Sequence, residues 1–291
     1  MHLSTNWIAR VALGLFAASA AIGGANPELD RARRLYETTD FAQSLKILQA
    51  IPEKDAAVHE LIGLNFYMEG EYKKASEAME KAVAAAPENS DYVLWLARAF
   101  GRRAETSSPF TAPGLANKAH QHFEKAVQLD PANIEAVNDL FEYYLEAPGF
   151  LGGGMDKALA LVPRITELSP VDGDGALSRI AEKKKEYTSA EAHLRRAIER
   201  APRRIGAFID LAKFLVKRGR YQEADQSLAT AEKIAPDNPR LLYAKADVYI
   251  RSNRNLATAK QLLEKYLASS LTPDDPSRAE ARKLLEKAHG G

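Results

Sequence analysis

Apolar residues recur at i, i+3, i+4 and i+7 in stretch after stretch of this chain. Val93-Leu96-Ala97-Phe100, Val137-Leu140-Phe141-Tyr144 and Phe208-Leu211-Ala212-Leu215 are examples. That spacing puts one apolar stripe along an α-helix. Each such helix is followed by a second with its own signature: Ala, a bulky apolar residue, a small or apolar residue, and then Pro. The set reads Ala75-Met79-Ala82-Pro87, Ala119-Phe123-Ala126-Pro131, Ala190-Leu194-Ala197-Pro202 and Ala224-Leu228-Ala231-Pro236. Two antiparallel helices can meet closely where a small residue stands on each, as with Gly63 against Ala75 or Ala212 against Ala224. Larger side chains then fill the seam to the next pair. Proline ends the second helix, because it lacks an N–H and its ring clashes with the preceding turn. A cap restarts the chain, as in "PDNPRLL", with Asn238 at the N-cap and Pro239 at the first helical position. Asp275 and Pro276 repeat that device. The pattern predicts helical hairpins starting near residues 27, 56, 90, 134, 171, 205 and 239, and a closing helix from Pro276.

This unit resembles the tetratricopeptide repeat (TPR) family, a helix–turn–helix of about 34 residues. The resemblance covers essentially everything after residue 25. It implies an all-α, right-handed superhelical solenoid of about seven TPR-like hairpins plus a C-terminal capping helix. The first and last hairpins match least well, as terminal repeats do.

The period also isolates two irregularities. Pro87, Pro131, Pro170, Pro202 and Pro236 are 44, 39, 32 and 34 residues apart. Two repeats are therefore too long, and the excess falls between their helices as loop insertions at 101–116 and 146–158. The second contains "GFLGGG", which invites comparison with a phosphate-binding loop. Gly149 and Gly154 have the right interval, but Met155-Asp156 stands where Lys-Ser/Thr is required, and no strand precedes it. The glycines are expected instead to permit positive φ in a protruding loop that carries Phe150 and Leu151. Phe110 occupies the other insertion, so the two loops are expected to form one apolar partner-binding surface.

Residues 1–25 differ in kind. One Arg precedes an apolar run, "VALGLFAASAAIGG", too short to span a bilayer. Small residues at cleavage spacing follow, so the segment reads as a secretory signal peptide, and the protein as periplasmic or secreted, with no integral span after signal removal. The chain has no Cys, which excludes disulfides and thiolate metal sites. Beyond the signal, charge is unevenly spread. Residues 26–178 hold 15 Lys and Arg against 24 Asp and Glu, whereas 179–220 hold 13 against 5. Such polarity can orient an oppositely charged partner.

Little else points to chemistry. His120 and His122 lie two apart on a helix, so their rings face different sides and cannot share a metal. Hydrolase and zinc-protease motifs are missing, and neither a catalytic, cofactor nor metal site is expected. The resemblance places the ninth position of each first helix on the concave groove, giving the ladder Leu64, Arg98, Glu142, Arg179, Lys213 and Asp247, with Asn138 and Tyr243 nearby. A mixed groove of this kind suits a protein or an extended peptide segment. Leu94 with Arg98, and Ile209 with Lys213, lack the Lys and Asn of the clamp that grips chaperone C-termini. A pI of 7.9 and export argue against nucleic acid. The expected function is a non-enzymatic protein–protein interaction adaptor or scaffold of the bacterial envelope. The alternatives are a binder of anionic glycan or lipid through residues 179–220, or an enzyme using the loop carboxylates Glu142, Glu146 and Asp156.

Overall fold

The computed structural model describes residues 26–273 and 275–289; the expected signal peptide lies outside them. Among the described residues every regular element is helical. The helices follow in series, six pairs of them packed as hairpins: α1 (Pro27–Glu37) with α2 (Phe41–Ala50), α3 (Ala56–Met68) with α4 (Tyr72–Ala85), α5 (Ser90–Thr106) with α6 (Ala112–Leu129), then, after α7 (Ile134–Glu146) and α8 (Met155–Leu168), α9 (Pro170–Lys183) with α10 (Tyr187–Arg200), α11 (Ile205–Lys217) with α12 (Tyr221–Ile234), and α13 (Pro239–Arg251) with α14 (Leu256–Ala268). A final helix, α15 (Arg278–His289), closes the series. The chain divides into two compact units at Ala158/Leu159.

In the first unit the hairpins pack in sequence through α2 on α3, α4 on α5 and α6 on α7; in the second the same holds for α10 on α11, α12 on α13 and α14 on α15. The small seam residues Ala75, Ala119, Ala158, Ala190 and Ala224 are all fully buried. Gly63 makes room for Met79 rather than for Ala75: a Cβ there would stand 2.8 Å from the Met79 Cγ and Cε atoms.

Helix starts follow chain chemistry. Asn26, Asp55, Asn89, Asn133, Ser169 and Asn238 cap the first helices of their hairpins by accepting a backbone N–H into the side-chain oxygen. The second helices α4, α10 and α12 have no such cap. Their chain reverses instead through one left-handed residue, Gly70, Lys185 or Gly219. The first hairpin departs from the pattern because Ser44 takes the small position. Its buried hydroxyl donates to the Ala32 carbonyl (2.9 Å) and accepts from Asn65 Nδ2 (3.1 Å). The closing helix starts later than Asp275-Pro276. Ser277 and Glu280 cap each other, Ser277 Oγ accepting from the Glu280 N–H (3.1 Å) and Glu280 Oε2 from the Ser277 N–H (3.2 Å). No helix among the described residues is long and apolar enough to cross a membrane.

These packing positions generate opposite expectations for two small substitutions. Ala224→Leu overfills a closed seam and should cost about 1–3 kcal/mol. Gly206→Ala, where an added Cβ meets open space within α11, should instead stabilise by about 0.4–1 kcal/mol. Chemical denaturation of both variants checks the pair; destabilisation by Gly206→Ala would contradict the helix assignment there.

Candidate functional site

The two long repeats use their extra residues differently. In the first, most of 101–116 is helix: α5 runs on to Thr106 and α6 already starts at Ala112, leaving five residues between them. Arg102 and Arg103 explain the extension by tying the added turn of α5 back to α4. Arg102 donates to the Tyr72 hydroxyl (2.8 Å) and to Glu105 (2.8 Å), and Arg103 donates to Ser76 Oγ (2.8 Å). The short connection is closed by the Thr111 and Ala112 N–H groups donating to the Ser108 carbonyl. Phe110 stands on it 95% exposed.

In the second, the chain leaves α7 and makes a 3-10 turn, Gly149–Leu151, before α8. Phe150 is 78% exposed at its tip, while Leu151 is half-buried. The turn is braced from beneath by α6 and α7. The Tyr143 hydroxyl donates to the Leu151 carbonyl (2.7 Å) and lies 3.2 Å from that of Ala116. His120 stacks flat on Tyr143 with ring centroids 4.9 Å apart. The Gly154 N–H donates to the Tyr144 carbonyl (2.8 Å), and Lys157 Nζ to that of Gly152 (2.9 Å). The Tyr144 hydroxyl donates to Glu124 (2.7 Å). Burial, reinforced by Glu124, pushes the Tyr143 hydroxyl up to about 12. Burial and the Glu124 hydrogen bond push Tyr144 up as well. Both hydroxyls therefore stay protonated, as their donor roles require.

The glycines have separate reasons. Only Gly152 of the three has positive φ, +86°, and a Cβ there would also stand 2.3 Å from His120 Cε1. Gly153 has no such φ; its Cβ would fall 1.8 Å from the Ala147 carbonyl oxygen, a backbone atom with nowhere to go. Gly154 has room, the nearest atom to its Cβ being Lys157 Cγ at 4.0 Å. His120 and Tyr143 are the residues that hold this turn, and no spacing in the chain marks them as its supports. Their role depends on α6 lying beside the turn.

The expected ladder positions differ in exposure. Leu64, Arg98 and Asp247 are buried, whereas Asn138, Glu142, Arg179, Lys213 and Tyr243 are half-buried. Arg98 is consumed internally. Its Nε donates to Asp139 (2.6 Å) and its Nη2 to Glu135 (2.9 Å), and its guanidinium lies over the Trp95 ring. Burial opposes the Arg98 charge, but Asp139 and Glu135 outweigh it and hold the group firmly protonated. Burial in turn raises the Asp139 carboxyl, with Arg98 pulling the other way. Arg98 thus joins α5 to α7 and presents no fork to a partner. Asp247 accepts from Arg251 one turn along (2.7 Å). Glu142 and Glu146 are engaged in interactions of their own, and no three His, Asp or Glu among the described residues gather as metal ligands. An open cleft of about 960 Å³ lies between α1 and α2, and none of its lining residues comes from either turn.

Residues 181–248 match a family model described as tetratricopeptide repeat. Among solved structures, a tetratricopeptide repeat protein from Parabacteroides merdae superposes with a TM-score of 0.57 at 14% identity, over 90% of this chain and 98% of that one. A thermophilic TPR protein of Thermus thermophilus superposes with a TM-score of 0.53 at 18% identity, over 65% and 98% of the respective chains. At these identities the likeness is one of fold. No curated protein sequence matches the chain.

Two expectations follow from the geometry. Gly153→Ala must displace the Ala147 carbonyl and should cost about 1–3 kcal/mol, whereas Gly154→Ala should stay within about 0.5 kcal/mol; thermal melting of the two neighbours distinguishes them. Arg98→Met strands Glu135 and Asp139 without their cation. It should cost about 3–5 kcal/mol, read as a fall in unfolding free energy.

Proposed function

We propose that this chain, whose residues 181–248 match a tetratricopeptide repeat model, is a non-enzymatic adaptor of the bacterial envelope, holding a partner protein or extended peptide segment against the turns that bear Phe110 and Phe150. One observation carries this reading: Phe150 is exposed on a turn whose backbone is held by hydrogen bonds from Tyr143 and Lys157. A ring that served only the fold would be packed into it. An exposed aromatic on a rigid turn loses little conformational freedom when a partner covers it, and aromatic anchors of this kind dominate many interfaces. Phe110 supplies a second exposed ring in the adjacent repeat. The half-buried groove positions Asn138, Glu142, Arg179, Lys213 and Tyr243 would extend the contact along an extended segment. Placement in the envelope rests on the apolar run and small residues of 1–25.

The test is capture of partners from an envelope extract by the chain lacking residues 1–25, with thermal melting measured in parallel. Phe150→Ala should weaken capture about 30-fold, the equivalent of a 2 kcal/mol anchor, while melting stays near wild type. Unchanged capture together with a large fall in melting temperature would instead make the turn a structural plug.

A further inference from the structure

The second unit carries a cationic cluster built around a single buried carboxylate. Asp174, in the first turns of α9, is 4% exposed. Gly173 lets α9 approach this closely, since a Cβ there would stand 2.3 Å from Thr166 Oγ1 of α8. Asp174 Oδ2 accepts from Arg200 Nε (2.7 Å), while its Oδ1 lies 3.2 Å from His193 Nδ1 and 3.5 Å from Arg196 Nη1. His193, Arg196 and Arg200 share one face of α10, being three and four residues apart. One carboxylate cannot neutralise two guanidiniums, so a positive charge is left over even with His193 neutral. Three neighbouring cations are matched: Arg195 with Glu191, Arg220 with Glu191 and Glu223, and Arg204 with Asp172. The Arg196 and Arg200 side chains are each 48% exposed. Arg200 is therefore anchored to Asp174 by a hydrogen bond, Arg196 stands within ion-pair distance of the same carboxylate, and both guanidiniums are about half exposed.

We propose that Arg196 and Arg200, held in position by Asp174, grip the carboxylates of an acidic segment in a partner protein. This rests on the reading of the chain as a binder of protein segments but uses a different surface. The two residues stand about 6 Å apart along the helix axis, a separation that neighbouring acidic side chains of a peptide can span. Their planar forks match carboxylate geometry, and pre-orientation limits the entropy lost per hydrogen bond. The surrounding surplus, 13 basic against 5 acidic residues over 179–220, attracts the same partner. A bilayer is a poorer fit, because the exposed large apolar residues Phe110, Phe150 and Tyr221 all lie outside α10, leaving the cluster without a wedge to insert.

Fluorescence anisotropy with a labelled hexaglutamate peptide tests the site on the chain lacking residues 1–25. Wild type should bind, and more weakly as salt rises from about 50 to about 200 mM. Arg200→Lys keeps the charge but loses the anchored fork, and should bind about tenfold more weakly, the effect of losing a hydrogen bond to a charged group. Asp174→Asn adds net positive charge, so an unorganised basic patch would bind more tightly, whereas a positioned pair binds more weakly. Should Asp174→Asn fail to melt as a folded protein, Arg196→Lys, changed at an exposed guanidinium, carries the same test. Wild-type binding by both Lys variants, tighter binding by a folded Asp174→Asn chain, or binding to phosphatidylglycerol vesicles without binding to the peptide overturns the proposal. Loss of peptide binding from wild type with Phe150-dependent capture intact overturns the Arg pair alone. Peptide binding by Phe150→Ala at the wild-type level, with no Phe150-dependent capture, supports the pair and removes only the adaptor turns.

Discussion

Each hairpin exists because two helix backbones come close enough that a methyl group fills the space between them. The alanines expected at these seams, Ala75, Ala119, Ala158, Ala190 and Ala224, are fully buried. Gly63 goes further, omitting even the methyl so that Met79 can lie across it. Interiors packed to this density tolerate neither added nor removed volume without strain. Spacing along the chain is therefore constrained at these positions and relaxed elsewhere. Where a polar residue takes the place, as Ser44 does, it remains only because its hydroxyl is bonded to Ala32 and Asn65. A buried hydroxyl without partners would destabilise the seam.

That constraint leaves the connections free to vary, and the chain uses the freedom in two ways. One insertion is absorbed by extending the helices on either side until five residues remain between them, with Phe110 in solvent. The other is lengthened but immobilised: Tyr143 reaches its carbonyl, His120 lies under Gly152, and Gly153 nestles on Ala147. A rigid scaffold that presents aromatic rings on fixed turns separates the fold's stability from its surface chemistry.

Buried charge divides along the same line. Arg98 is enclosed, its partners Glu135 and Asp139 lie half-buried, and the three join helices α5 and α7. Asp174 is enclosed too, but its cations are half in solvent, so its charge orients groups that remain available. In both cases burial of a charge demands partners; the difference is which member of the pair is left at the surface.

The helical hairpins, their starts and the small residues of their seams were legible in the chain, because each is a local consequence of side-chain size, capping chemistry and proline. The excess in two repeats was legible as well, and so was the exposure expected of Phe110 and Phe150. What the excess residues do was not. Length alone does not distinguish extra helical turns at 101–106 and 112–116 from a loop, since Arg102 and Arg103 tie the added turn down through partners on α4. Nor could a repeat alignment show that Arg98, at a position read as lining the groove, faces two acids from α7. Three adjacent glycines look alike in a row of letters, yet one answers a left-handed φ, one a carbonyl oxygen and one neither. Local periodicity determines which segments fold and where they turn. Contacts between segments far apart in the chain decide which side chains remain available, because such availability depends on what the neighbouring helix brings alongside.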